Sequence, residues 1–263
     1  MFNWIKKQRI VAASLLLFSF SGNAATDQKA LIDASTSAAE ILVMADKYRL
    51  EDEAAKVVTE VSLFQDGQLD KTRQYEVYLR PNRESLVLFK SQVEQGQKML
   101  MLGDNYWLVM PKSRRPIRIT PMQKLLGDAS VGDVSTLTWS QDYTGTIVSD
   151  SKAGNISDVP TLHLSLTAKT AGASYQSIDL WVEKESGFPV RADLYLTSGK
   201  LAKKAVFESG ERQGSRRVVT MTLLDQIQEN KKTVINYQDV APYELADKYY
   251  NPAYLSKNKR VEL

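Results

Sequence analysis

The chain has 263 residues, no cysteine and one histidine, with 34 Lys and Arg against 31 Asp and Glu. Without cysteine there is no disulfide and no cysteine-linked lipid, and with a single histidine a zinc site of the usual ligands is not expected. Three of the cations (Lys6, Lys7 and Arg9) precede any acid, so the remainder is balanced at 31 of each sign and lacks the basic footprint of a nucleic-acid-binding protein.

Those three cations open a familiar layout. Ile10 to Phe20 is an almost unbroken apolar run, and Ser21-Gly22-Asn23-Ala24 supplies small residues. This is the pattern of a secretory signal peptide, residues 1–24, with cleavage expected after Ala24 and the periplasm as the expected location. The apolar core is about half of the ~20 residues that a spanning helix needs, and no later stretch approaches that length. No Pro/Gly linker and no repeat of fixed period divides the rest, so residues 25–263 read as one domain.

Residues 27–48 have helical spacing: Leu31, Ala34, Ala38, Ile41, Leu42 and Ala45 recur every three or four positions, with Thr26 or Asp27 as the expected cap. From residue 54 the period becomes two. Val57, Thr59, Val61 and Leu63 share a face before the Asp66-Gly67 turn, and Tyr75, Val77 and Leu79 share one after it. Leu86 to Phe89 is apolar on both faces. Lys98–Leu102 and Tyr106–Met110 flank a hairpin loop at Gly103-Asp104-Asn105.

Next comes a helix signature. Thr120-Pro121-Met122-Gln123 has the form of a capping box with proline at the first helical position, and Met122, Leu125 and Leu126 form an apolar face before Gly127-Asp128. Further strands are expected at 144–148, 161–167, 177–184, 190–197, 202–208, 216–224 and 233–238, separated by turn residues. The fold class is mainly β with some α: one antiparallel, strongly bent sheet of roughly ten or eleven strands, covered by an N-terminal helix and a short apolar lid helix. The charged tail from Lys257 is expected to fray.

Catalytic motifs are missing. There is no G-x-S-x-G, Walker loop, G-x-G-x-x-G or calcium loop. His163 alternates with Leu162 and Leu164 and reads as a surface or lightly buried strand histidine with no orienting partner. Asp128 and Asp133 could lie near each other, but Ser130-Val-Gly-Asp133 also reads as a cap. Neither an enzymatic activity nor a cofactor or metal is expected.

What stands out is adaptable apolar side chains near the short helix: Met99, Met101, Trp107, Met110, Met122, Leu125, Leu126 and Trp139. Taken singly, each is ordinary core filling in a β protein. Collectively they suit a cavity for irregular apolar ligands, because methionine and aromatic groups repack at little cost. A cation cluster adjoins them, Lys112, Arg114, Arg115 and Arg118. It is either a solvated turn or, through Arg114, Arg115 and Arg118, a contact for an anionic headgroup or a partner.

The order of these parts resembles the LolA-like outer membrane lipoprotein-sorting protein family. The matching residues are Trp107-Leu-Val-Met-Pro111-Lys-Ser-Arg114-Arg115-Pro-Ile-Arg118, then Gln123, Gly127-Asp128 and Asp133, and the close Tyr249-Tyr-Asn-Pro252-Ala-Tyr254-Leu255. The family's usual aromatic within the Gly-Asp segment is absent from Gly127–Asp133. The resemblance implies an unclosed β-barrel covered by helices, holding acyl chains in an apolar cavity and ferrying lipidated cargo across the periplasm. It also implies transient membrane contact. Members are often linked to resistance-nodulation-division exporters, so the cargo expected is lipoprotein acyl chains or lipids. The alternative is an accessory subunit docked on an inner-membrane exporter of that type and carrying nothing. A carrier has a physical purpose, since exposing an acyl chain to water costs ~0.8 kcal/mol per CH₂.

Overall fold

The computed structural model describes residues 32–51, 53–113, 115–126, 129–134, 138–152 and 158–258. The expected signal peptide, Arg114 and Asp128 lie outside them. In chain order come α1 (Ala38–Lys47), β1 (Ala55–Gln65), β2 (Gln68–Arg80), β3 (Glu84–Phe89), β4 (Lys98–Leu102), β5 (Asn105–Val109), β6 (Ile117–Ile119), β7 (Lys124–Leu126) and β8 (Ala129–Ser130). Then follow α2 (Val131–Val134), α3 (Trp139–Asp142), β9 (Tyr143–Lys152), β10 (Pro160–Ala168), β11 (Ser177–Glu183) and β12 (Pro189–Tyr195). The chain closes with β13 (Leu201–Arg212), β14 (Ser215–Asp225), β15 (Lys231–Pro242) and α4 (Pro252–Lys257).

Thirteen of these strands form one sheet in the order β6-β5-β4-β3-β2-β1-β15-β14-β13-β12-β11-β10-β9. Every pairing within it is antiparallel, and the end strands β6 and β9 do not pair, so the bent sheet is unclosed. Tight hairpins enforce that order. Asp66-Gly67 and Gln213-Gly214 both hold positive φ at two successive residues, the backbone that matches the twist of paired strands. The sheet has more than the expected ten or eleven strands, and one of the additions, β6, is too short to carry an alternation signal.

Period-two alternation sorts the side chains by face. Val57, Val61, Leu63, Tyr75, Val77, Val87, Phe89, Met99 and Met101 join the main core on the concave face. Tyr78, Leu86, Leu88, Leu100 and Val109 point the other way, into a second cluster closed by Leu245, Tyr250 and Leu255. Strand β3 is therefore buried on both sides, as its unbroken apolar run suggests. The Asn-Pro pair explains how the C-terminal cover forms. Asn251 Oδ1 accepts from Ala253 N at 2.9 Å and Tyr254 N at 3.1 Å, and Pro252 occupies the first helical position, where no N–H is needed.

Two helix expectations are corrected. The helix expected over 27–48 is interrupted: residues 32–37 are not helical and α1 starts at Ala38, while residues 27–31, with the expected caps Thr26 and Asp27, lie outside the described residues. Ser37 N and Glu40 N exchange bonds with the side chains of Glu40 and Ser37, at 2.8 and 3.3 Å, while Asp33 Oδ1 accepts from Ser35 N at 2.9 Å and bends the chain just before. The nearer capping box outcompetes the continuing apolar spacing. The expected lid helix at Thr120–Gly127 is a turn followed by β7. Gln123 N donates to Thr120 O at 3.0 Å, and Lys124–Leu126 pair with Ala129–Ser130. The neighbouring Ala129–Ser130 offers Lys124–Leu126 a strand partner, and that pairing overrides the capping pattern.

Candidate functional site

The concave face is covered by α1, α2 and α3, and each is fixed by a carboxylate. Ile41, Leu42 and Ala45 bury one side of α1, and Asp46 reaches from it to α3. There Asp46 accepts from Trp139 N at 3.1 Å, Ser140 N at 2.8 Å and Ser140 Oγ at 2.8 Å. Burial pushes the Asp46 carboxyl above the usual range, against the pull of Arg49 and these donors. The Arg49 guanidinium lies 4.0 Å from the Trp139 ring centre, and Phe207 meets that ring edge-on at 5.6 Å.

Asp133 anchors α2. Its carboxylate accepts from Ser130 N and Ser130 Oγ, both at 2.8 Å, and from Tyr175 Oη at 3.1 Å, and it pairs with Lys203 Nζ at 2.8 Å. Burial alone would raise this group, but Lys203 and Ser130 outweigh it and hold Asp133 below the ordinary carboxylate value. Beside it Gly132 is wedged against Ser174, where an added Cβ would lie 1.8 Å from Oγ.

A third set of bonds ties the two ends of the open sheet together. Arg83 in the β2–β3 turn pairs with Asp104 at 2.8 Å and Asp142 at 2.6 Å. Gly172 in the β10–β11 loop donates from N to Asp104 Oδ1 at 3.1 Å, and its carbonyl accepts from Tyr106 Oη at 3.2 Å.

Openings gather at one end of the covered face. A cleft of about 380 Å³ runs between α1, α3 and the β2–β3 turn, lined by Val43, Asp46, Leu50, Leu79, Arg83 and Met101 among others. Across Glu51 and Glu53 lies a second opening of about 280 Å³. Between them an inner hollow is lined by Val57, Val77, Leu79, Val134, Tyr237 and Val240, with Arg49 and the Glu51–Arg212 ion pair (2.9 Å) at its edge. Its free space is about 10 Å³, room for about one water. In this arrangement the protein's own side chains occupy the concave face.

The expected site residues divide. Met99, Met101 and Trp139 are buried in the concave core, and Met122 packs against it. Trp107 faces the opposite way, in the outer cluster beside Tyr249 and Leu255. Register explains this: Trp107 pairs with Leu100, which also faces outward, so it cannot share a surface with Met99 and Met101. Met110 is half-buried just past β5 and belongs to neither cluster. Leu125 and Leu126 are in β7, and their side chains lie outside the described set. Arg115 and Arg118 are exposed, and Arg118 stacks over Trp107 at 4.7 Å, away from the cleft.

The His163 ring stacks on Trp181 at 4.6 Å on the outer face, and Nε2 lies 3.2 Å from Asp179 Oδ1 without hydrogen-bond geometry. Among the described residues no cluster of His, Cys, Asp and Glu could hold a metal, and no helix is long and apolar enough to cross a membrane. The sequence reading missed Arg49, Asp46 and Lys203. Lys203 carried a signal, since Ala205 and Phe207 face inward and period two puts Lys203 with them.

Comparisons with known proteins place this geometry. A family model described as an uncharacterized protein matches residues 81–257. A LolA superfamily protein from Nitrosomonas europaea is 26% identical with a TM-score of 0.77, covering 84% of this chain and 100% of its own. An outer membrane lipoprotein-sorting protein domain from Vibrio parahaemolyticus (18% identical, TM-score 0.68) covers 83% and 97%. A DUF1329 family protein from Desulfovibrio piger (21% identical, TM-score 0.67) covers 82% and 97%. No curated protein matches the chain at a significant level.

Proposed function

This chain belongs to the family described by that match, with the LolA-like fold of outer membrane lipoprotein-sorting proteins, and on that premise we propose that it is a periplasmic carrier of acyl chains. The cargo is a lipoprotein's acyl chains or a lipid, taken up on the concave face and moved between inner and outer membrane. Export and removal of residues 1–24 are part of the reading. The observation that carries it is the apolar concave face of an unclosed sheet, covered by three helices that polar contacts hold in place.

Met99, Met101 and Trp139, with Met122 at the margin, are the proposed apolar contacts for cargo. No catalytic step, metal or cofactor enters this reading. Nothing among the described residues favours the exporter-adaptor alternative. A fluorescent fatty acid and native mass spectrometry of protein taken from its own periplasm test the proposal. Wild type should bind the probe and co-purify with a lipid. Leu79→Trp, which fills the junction of cleft and hollow, should weaken probe binding while leaving the unfolding midpoint near wild type. A wild type that binds no probe and emerges empty overturns the reading.

A further inference from the structure

The cation cluster between β5 and β6 stands on the outer face, among aromatic side chains. Trp107 is half-buried there with the Arg118 guanidinium over its ring, and Arg118 Nη2 donates to Asn105 Oδ1 at 2.7 Å. Just across the outer cluster, Tyr249 and Tyr254 meet edge to face at 5.6 Å, with the Lys248 ammonium 5.1 and 5.8 Å from their rings.

The end of α4 joins the two groups. Lys98 Nζ donates to Asn258 O at 3.0 Å, and Lys98 pairs across strands with Val109, the last residue of β5. Exposed Lys257 therefore sits where β5 runs into the turn carrying exposed Lys112 and Arg115. Of the acids near this surface, Glu94 pairs with Arg73 at 3.3 Å, and Asp247, itself exposed, pairs with Arg80. Glu244 is exposed next to Tyr243, whose N donates to Ala54 O at the second opening.

We propose that this outer face, with Lys112, Arg115, Arg118, Lys248 and Lys257 around Trp107, Tyr249 and Tyr254, docks the protein on an anionic lipid bilayer. Amphipathic rings settle at the headgroup level of a membrane, and lysine and arginine bind its negative surface, so cations interleaved with Trp and Tyr fit that layer. The surface is on the side of the sheet opposite the concave face, so docking leaves the helical cover free to move. The inference draws its purpose from the carrier reading, but docking is measured without cargo.

Sedimentation with phosphatidylcholine vesicles, with and without phosphatidylglycerol, tests it. Wild type should bind the anionic vesicles and lose binding as salt rises. At about fivefold per cation, Lys112→Ala with Arg115→Ala and Lys257→Ala should weaken binding about a hundredfold. The same loss of charge on other surfaces, Lys71→Ala with Lys184→Ala and Lys200→Ala, should leave it near wild type. Three results overturn the proposal: no binding of wild type to anionic vesicles, equal binding to neutral ones, or an equal loss in the control variant. If vesicle binding fails while the protein is captured through these cations by an acidic protein, the face is a protein-docking surface instead. Uptake of the fatty-acid probe in solution reports separately on the carrier reading and should not change in the triple variant.

Discussion

Asp133 and Lys203 meet at 2.8 Å inside the concave face, with side chains only 4% and 6% exposed. Neither ion could be left there alone. Lys203→Met should cost about 3–5 kcal/mol, because it strands a buried carboxylate. Adding Asp133→Asn should recover much of that loss, and urea titration of both variants checks it. A loss under 1 kcal/mol in the single variant would mean that water already reaches Asp133.

The same carboxylate gives the protein an acid limb. Asp133 is held below its ordinary value of 3.8, so its stabilisation is complete above that value and is lost as pH falls through the lower folded one. Asp46 runs the other way. Its folded value is raised, so its contribution is fullest below 3.8 and declines as pH rises through that folded value. Asp133→Asn should flatten the fall in stability below about pH 4, and Asp46→Asn should not. Thermal midpoints measured across that range decide between them.

The tie from α1 to α3 makes a separate prediction. Asp46→Ala removes three acceptor contacts, including the two that cap α3. Amide exchange at Trp139 and Ser140 should accelerate well before global unfolding. If the concave face takes cargo, the fatty-acid probe should also enter faster. Exchange as slow as in wild type would show that apolar packing alone holds α3.

Gly132 marks how closely α2 is set into the fold. Gly132→Ala should destabilise by about 1–3 kcal/mol, since the new methyl would overlap Ser174. Ser174→Gly, made together with it, should restore most of the loss in chemical denaturation.

His163 separates an ordinary surface contact from chemistry. His163→Ala removes the stack on Trp181, worth about 0.5–1.5 kcal/mol, on the face away from the cleft. Probe binding should therefore be unchanged. A null phenotype at normal abundance would reopen an enzymatic reading.

Alternation carried most of the fold. It identified the long strands and the doubly buried β3. It failed where two local signals competed. Ser37 and Glu40 start α1 within a longer apolar repeat, and β7 takes a capping pattern into a strand because Ala129–Ser130 offers a pairing partner. Trp107 was placed with the methionines on apolarity alone, although its odd step along β5 already assigned it to the other face. The polar ties were less legible. Asp46 and Trp139 are ninety-three positions apart, and no local pattern links them.

A closed barrel has a circumference fixed by its strand number and stagger. This sheet has a seam, and a short set of side-chain ties across it from Arg83, Asp104 and Tyr106 to Asp142 and Gly172. Widening the seam would break those ties and leave every ladder intact. The girth of this fold is thus set at its seam by side chains, not by strand count alone.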